Sequence, residues 1–191
     1  MKKLLCYGDS NTYGYDPRSW LGSRYPEDVR WTGLLRASYT VTEAGQNGRE
    51  IPRGGTELET LQWLLQKEAP DVLTVMLGTN DLLGDPSFTA TDTAAKMERF
   101  LTALQKTVCG CRILLVAPPP MVPGAWVTAA RLVEQSALLG DCYRSLAKRL
   151  DIAFADAGAW DVELLFDGVH FSPAGHLAFA GDISKALSEL F

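Results

Sequence analysis

Histidine is nearly absent from this chain, with two among 191 residues. Any imidazole base must therefore be His170 or His176. The four cysteines contain no CxxC pair and have no histidine nearby, which argues against a zinc site. They read as buried, reduced thiols, Cys6 in a strand, Cys142 in a helix, and Cys109 and Cys111 just ahead of another strand. No run of like charge occurs: 18 Lys+Arg against 23 Asp+Glu give −5. Neither a nucleic-acid nor a membrane partner is therefore expected. Met1-Lys2-Lys3 is basic, but the apolar stretch behind it breaks at Gly8-Asp9, too soon for a signal-peptide core or a membrane span. A cytoplasmic location is the resulting expectation. GxxxxGK[ST] and GxGxxG are both missing, which removes the sequence case for a nucleotide- or phosphate-binding loop. No repeat, low-complexity segment or linker interrupts the chain. With 47% apolar residues, residues 1–191 suffice for one well-buried domain.

What is present is a regular alternation of strand and helix patterns. Apolar runs at residues 2–7, 40–44, 72–77, 112–116 and 153–155 read as strands, and the continuous run at 72–77 suits a central strand covered on both faces. Between them, residues 56–67, 91–107 and 128–150 carry apolar residues at helical spacing, and a short helix begins at Trp31. Pro173 fits the first turn of a last helix capped by Ser172. Residues 11–30, rich in Gly, Pro and aromatics, show no period and read as an ordered loop. This alternation predicts an α/β fold with a parallel sheet and right-handed crossovers.

Polar motifs punctuate the strand ends. Gly8-Asp9-Ser10 follows the first strand, Asn47-Gly48 the second and Gly78-Thr79-Asn80-Asp81 the third, while Asp167-Gly168-Val169-His170 lies in the loop before the last helix. In a parallel sheet the first three gather at one edge, where open α/β folds bind ligands. A serine hydroxyl hardly ionises at neutral pH and needs a base to become a nucleophile. Asp167 and His170, three residues apart, can form a carboxylate–imidazole pair with the second ring nitrogen free for Ser10. His176, inside the last helix pattern, reads as structural or surface-exposed. Backbone N–H groups of Ser10 and Gly48 and the Asn80 amide are candidate donors to an oxyanion. Asn47-Gly48 as an ordinary turn and Asn80 as a helix cap are the plainer alternatives.

These blocks, in this order, resemble those of the SGNH (GDSL-type) hydrolases. The resemblance implies a flavodoxin-like three-layer α/β/α sandwich with about five parallel strands, ester hydrolysis through an acyl-enzyme, and no metal or organic cofactor. It assigns Ser10 as nucleophile, His170 as base and then acid, Asp167 as the orienting carboxylate, and Ser10, Gly48 and Asn80 as the oxyanion hole. Residues 28–35, Glu43-Ala44-Gly45, residues 76–81, Ala117-Pro118-Pro119-Pro120 and Asp156-Ala157-Gly158 are similar to the bacterial arylesterase branch, which includes an acyltransferase/perhydrolase. That branch implies a small-molecule, short acyl (acetyl) ester as substrate. Two departures, a shorter chain between Arg49 and Asp71 and around Gly110, and a polar Asn11 where an apolar residue is common, favour hydrolysis over transfer to alcohols. Carbohydrate O-deacetylation and acyltransferase/perhydrolase activity are the alternative enzyme readings, and a non-catalytic binding module is the alternative outside enzymes. Loops carrying Tyr13, Tyr15 and Trp20, and Met121, Val122 and Trp126, are candidate pocket walls, with Tyr15, Met121 and Trp126 as substrate-binding candidates. Packing of loops or a subunit contact is the alternative for each, and a homo-oligomer remains open.

Overall fold

The structure is a computed structural model that describes residues 1–19, 21–107 and 110–190. Trp20, expected in an aromatic loop, and Cys109, expected as a buried thiol, lie outside the described residues. Cys6, Cys111 and Cys142 are free, Cys6 fully buried and the other two partly so.

Strands β1 (Lys3–Gly8), β2 (Thr40–Gly45), β3 (Val72–Met76), β4 (Arg112–Ala117) and β5 (Ala153–Asp156) form one parallel sheet in the order β2-β1-β3-β4-β5. Successive strand side chains point to opposite faces. Leu5, Tyr7, Leu73, Val75 and Leu115 accordingly enter one core, and Leu4, Cys6, Val72, Leu114 and Val116 the other. The first core is closed by α3 (Thr56–Glu68), α5 (Ala90–Gln105) and α6 (Ala130–Leu150). The second is closed by α2 (Trp31–Leu34) and α7 (Pro173–Ser188). Two apolar faces on one sheet require a helix layer on each, which gives the three-layer α/β/α sandwich expected from the sequence.

Helix α5 shows how local chemistry sets the elements. Thr89 Oγ1 accepts from the Asp92 N–H at 3.2 Å and Asp92 Oδ2 accepts from the Thr89 N–H at 3.0 Å, a reciprocal cap worth about 1 kcal/mol. Met97, Leu101 and Leu104 line its buried stripe, each contributing about 1.5–3 kcal/mol by leaving water. Leu101→Ala would cost about 2–5 kcal/mol. At α7, Ser172 Oγ accepts from the Gly175 N–H at 3.0 Å and Pro173 opens the helix. No helix among the described residues is long and apolar enough to cross a membrane.

Two short elements depart from the sequence reading. Residues 11–30 begin not in a loop but in α1 (Ser10–Tyr13), started by Asp9 Oδ1 accepting from the Asn11 N–H at 3.0 Å. The third motif opens α4 (Thr79–Gly84), whose N-cap is Gly78, so Asn80 lies in the first turn and is not the cap. Both helices are too short to carry a period. Residues 14–19 and 21–30 are irregular, joined by a bridge between Tyr15 and Arg24 and by a Tyr25 N–H to Gly14 carbonyl bond of 2.8 Å. Because β1 lies between β2 and β3 and all three run parallel, their carboxyl ends bring the first three motifs to one edge.

Candidate active site

Ser10 leaves β1 at a turn only glycine permits at position 8. A Cβ there would lie 2.1 Å from Thr12 Oγ1 and 2.9 Å from the Met76 carbonyl oxygen. The turn therefore packs directly on the end of β3 and sets Ser10 at the sheet edge, with only 6% of its surface exposed.

The loop before α7 delivers His170 to the same point. His170 Nε2 lies 2.9 Å from Ser10 Oγ, and His170 Nδ1 lies 2.7 Å from Asp167 Oδ2. A carboxylate only accepts, so Nδ1 carries the ring proton and Nε2 presents its lone pair to the serine hydroxyl. Asp167, with no exposed surface, also accepts from the Val169 and His170 N–H groups through Oδ1 at 2.9 and 3.0 Å. Burial alone would raise its pKa, but the bonds from His170 and the two peptides outweigh this and hold it below the usual carboxylate value. Gly168, at φ 82°, shapes the loop, since a Cβ would stand 2.1 Å from the Val122 carbonyl oxygen. The stretch from Val122 to Trp126 packs on this backbone through Val122 N–H to Gly168 and Trp126 N–H to Asp167, both at 3.1 Å.

Asn80 reaches the site from the other side. Its Nδ2 donates to the Arg49 carbonyl at 3.1 Å and stands 3.5 Å from Asp9 Oδ2. Gly48 is exposed at φ 71°, and an added Cβ would meet nothing within 4 Å. Its glycine thus answers a backbone requirement, not a crowded approach. Arg49 binds the turns together: Nη1 donates to the Gly8 carbonyl at 2.7 Å and to the Ala44 carbonyl, and the guanidinium lies 4.1 Å from the Tyr7 ring centroid. Beneath Asn80, buried Lys96 pairs with Asp81 and, at 2.7 Å, with Glu50, while Asp81 Oδ2 accepts from the Ile51 N–H at 3.1 Å. Asp9, buried with one good donor, has its pKa pushed up by desolvation to about 6.

Tyr15 and Trp126 flank His170, with ring centroids 4.8 and 5.0 Å from the imidazole. Trp126 is 51% exposed and presents an indole to solvent. Met121 is a correction. It is 1% exposed and belongs to the core beneath α6, so its side chain offers no surface to a substrate. His176 resolves to the structural alternative, because it is wholly buried, its Nδ1 accepts from the Trp31 N–H at 3.4 Å, and burial depresses its pKa to about 3.

Sequence reasoning passed over Asn11, Arg49 and Lys96 as parts of this edge. Lys96 carried a legible signal, a charge on the buried stripe of α5 between Thr93 and Met97 and Phe100. No group of three or more His, Cys, Asp or Glu suited to a metal occurs among the described residues. Chemically, the site can pass a proton from a serine hydroxyl to a fixed imidazole beside several polar hydrogens.

The profile of the GDSL-like lipase/acylhydrolase family matches residues 6–178. A carbohydrate acetylesterase from Sinorhizobium meliloti superimposes with a TM-score of 0.87 at 27% identity, with all of both chains covered. The M. smegmatis aryl esterase gives 0.85 at 27%, and a putative arylesterase from Agrobacterium tumefaciens 0.86 at 29%, again with all of both chains covered. No curated protein matches.

Proposed function

The chain belongs to the GDSL-like lipase/acylhydrolase family and is a carboxylic ester hydrolase, and on that premise we propose that it hydrolyses short-chain acyl esters, acetyl esters foremost, with Ser10 as nucleophile. The observation that carries this reading is the unbroken chain Ser10 Oγ–His170 Nε2 at 2.9 Å and His170 Nδ1–Asp167 at 2.7 Å.

In this reading Ser10 Oγ attacks the ester carbonyl while His170 Nε2 takes its proton. Asp167 steadies the imidazolium that forms and fixes the ring's orientation. The carbonyl oxygen gains negative charge, which the Ser10 and Gly48 N–H groups and Asn80 Nδ2 receive. Collapse of the tetrahedral species expels the alcohol, which takes the proton from His170 and leaves an acyl-Ser10. Water, deprotonated by His170, then repeats the attack and releases the acid. Asn80 Nδ2 has two hydrogens, and only the one on the Arg49 carbonyl makes a good bond. The second has only the long Nδ2 to Asp9 Oδ2 approach of 3.5 Å and is the one available to the oxyanion.

Tyr15 and Trp126, one on each side of His170, are proposed as walls for the ester. Carbohydrate O-deacetylation is the second reading, favoured by the exposed indole of Trp126 beside His170, a flat apolar face open to a bulky alcohol group. Hydrolysis of p-nitrophenyl acetate, butyrate and octanoate by wild type and Ser10→Ala tests both readings, together with an acetylated sugar. The expected result is Ser10-dependent turnover that falls with chain length. Turnover on the acetylated sugar far above that on aryl acetates selects the second reading. Ser10→Ala activity within tenfold of wild type would remove the serine-nucleophile reading. Diversion of most of the acyl group to an added alcohol in water would make the enzyme an acyltransferase.

A further inference from the structure

The polar residue after the serine, unusual by its resemblance group, has a defined task in the structure. Asn11 is 4% exposed, and both ends of its side-chain amide are used on one loop. Nδ2 donates to the Val169 carbonyl at 3.0 Å, and Oδ1 accepts from the Phe171 N–H at 2.9 Å. Val169 and Phe171 are the two residues that flank His170. The amide therefore pairs with the peptide backbone on both sides of the imidazole, as a neighbouring strand would.

The main chain of Asn11 is held as firmly. Its N–H donates to Asp9 Oδ1 at 3.0 Å, and its carbonyl accepts from Trp31 Nε1 at 3.0 Å. Trp31 is itself buried. One residue thus bonds the turn that carries Ser10 to the loop that carries His170, about 160 positions away in sequence. The Ser10–His170 contact spans two separate segments, and its length depends on how those segments are fixed to each other. Asp167 fixes the imidazole within its own loop, and Asn11 fixes that loop to the serine.

We infer that Asn11 is a positioning residue that sets the Ser10–His170 distance by clamping the peptides on both sides of His170. The inference rests on the reading of Ser10 and His170 as nucleophile and base. An apolar residue of similar size at position 11 would leave the Val169 carbonyl and Phe171 N–H unpaired and free the loop to shift. Proton transfer is steep in distance, and a displacement near 1 Å costs about 100-fold in rate.

The test uses the whole chain with Asn11→Leu and Asn11→Ser, read by kcat and KM on p-nitrophenyl acetate, by the rate of Ser10 phosphonylation with a p-nitrophenyl alkylphosphonate, and by Tm. Asn11→Ser is included because its smaller side chain leaves room for water to bridge the two peptides if Asn11→Leu fails to fold. The expected result is a kcat about 10–100-fold lower in Asn11→Leu, phosphonylation slowed in proportion, and a smaller loss in Asn11→Ser. KM should move by less than about threefold, since the amide does not touch substrate. Folded variants with kcat and phosphonylation within about twofold of wild type would overturn the inference and leave Asn11 a structural bond alone. Ser10→Ala run beside them separates the two readings. If Ser10→Ala stays active, the nucleophile assignment fails; if Ser10→Ala is inactive and Asn11→Leu is unimpaired, only the clamp fails.

Discussion

The two halves of the candidate site are built to different standards. On the base side, Ser10, His170 and Asp167 are buried, every polar atom of the Asp167 carboxylate is bonded, and Asn11 ties the two segments together. On the acceptor side Gly48 stands in solvent and the Asn80 amide rests on a carbonyl of its own chain. A proton relay gains from fixed distances and excluded water, whereas a pocket for a developing oxyanion has to stay open until an ester enters. Under the proposed function, the difference means that the part assigned to move a proton is fixed in advance and the part assigned to the oxyanion is completed by substrate.

That contrast can be broken at either end. The largest effect is expected from Asp167→Asn, which disturbs the imidazole tautomer and should lower kcat on the order of 10⁴-fold with little change in KM. Steady-state kinetics on p-nitrophenyl acetate would read it, and a loss under tenfold would mean that the base side is less coupled than its geometry implies. Asn80→Ala should cost on the order of 10²–10³ in kcat, while the acid limb of the pH–rate profile stays where wild type has it. A displaced limb would show that Asn80 acts through His170 and not on the oxyanion.

Support beneath the acceptor side is a stability matter. Lys96→Met removes the counter-charge of buried Asp81, which also holds the Ile51 N–H, and should destabilise the fold by about 3–5 kcal/mol in urea melts. An unchanged melt would mean that Asp81 takes up a proton at little cost once the lysine is gone.

The smallest effects concern pH. His176 has its pKa lowered from 6.5 to about 3 by burial, so the unfolded chain takes up a proton that the folded chain refuses. Its contribution is present above 6.5 and is lost as pH falls towards about 3. Asp9 works in the opposite sense. Its pKa is raised from 3.8 to about 6, so the ionised folded form costs stability, and the cost grows as pH rises through that window. Asp9→Asn should therefore stabilise the protein by up to about 3 kcal/mol at pH 8, with little gain at pH 4. Equal stabilisation at both pH values would assign the effect to packing.

The layout of the sheet was legible because the strands are short runs closed by glycine turns or, after β4, by Pro118-Pro119-Pro120, and the resemblance of four motif blocks singled out Ser10, Gly48, Asn80, Asp167 and His170, of which the structure joins Ser10, His170 and Asp167 by hydrogen bonds. What escaped has physical reasons. Helices α1 and α4 are shorter than any window in which a helical period repeats. The partners of Asn11 lie nearly the whole chain away, so a polar residue in an apolar position read as a departure and not as a clamp. Met121 follows a strand-ending proline run, as a pocket residue would, but its side chain is buried in the apolar core and its N–H donates to Ser136 Oγ of α6 at 2.9 Å, contacts that no local pattern announces. The burial of His176 could not be separated from exposure without knowing which face of α7 meets Trp31 and Phe171.

The most direct test of the account is to locate the covalent adduct. Wild type treated with a p-nitrophenyl alkylphosphonate would be digested and its peptides weighed, with Ser10→Ala and Asp167→Asn treated alongside. A single phosphonyl group on Ser10 is expected, formed much more slowly in Asp167→Asn and missing from Ser10→Ala. A modified residue other than Ser10, or an active enzyme that takes no phosphonyl group, would contradict it.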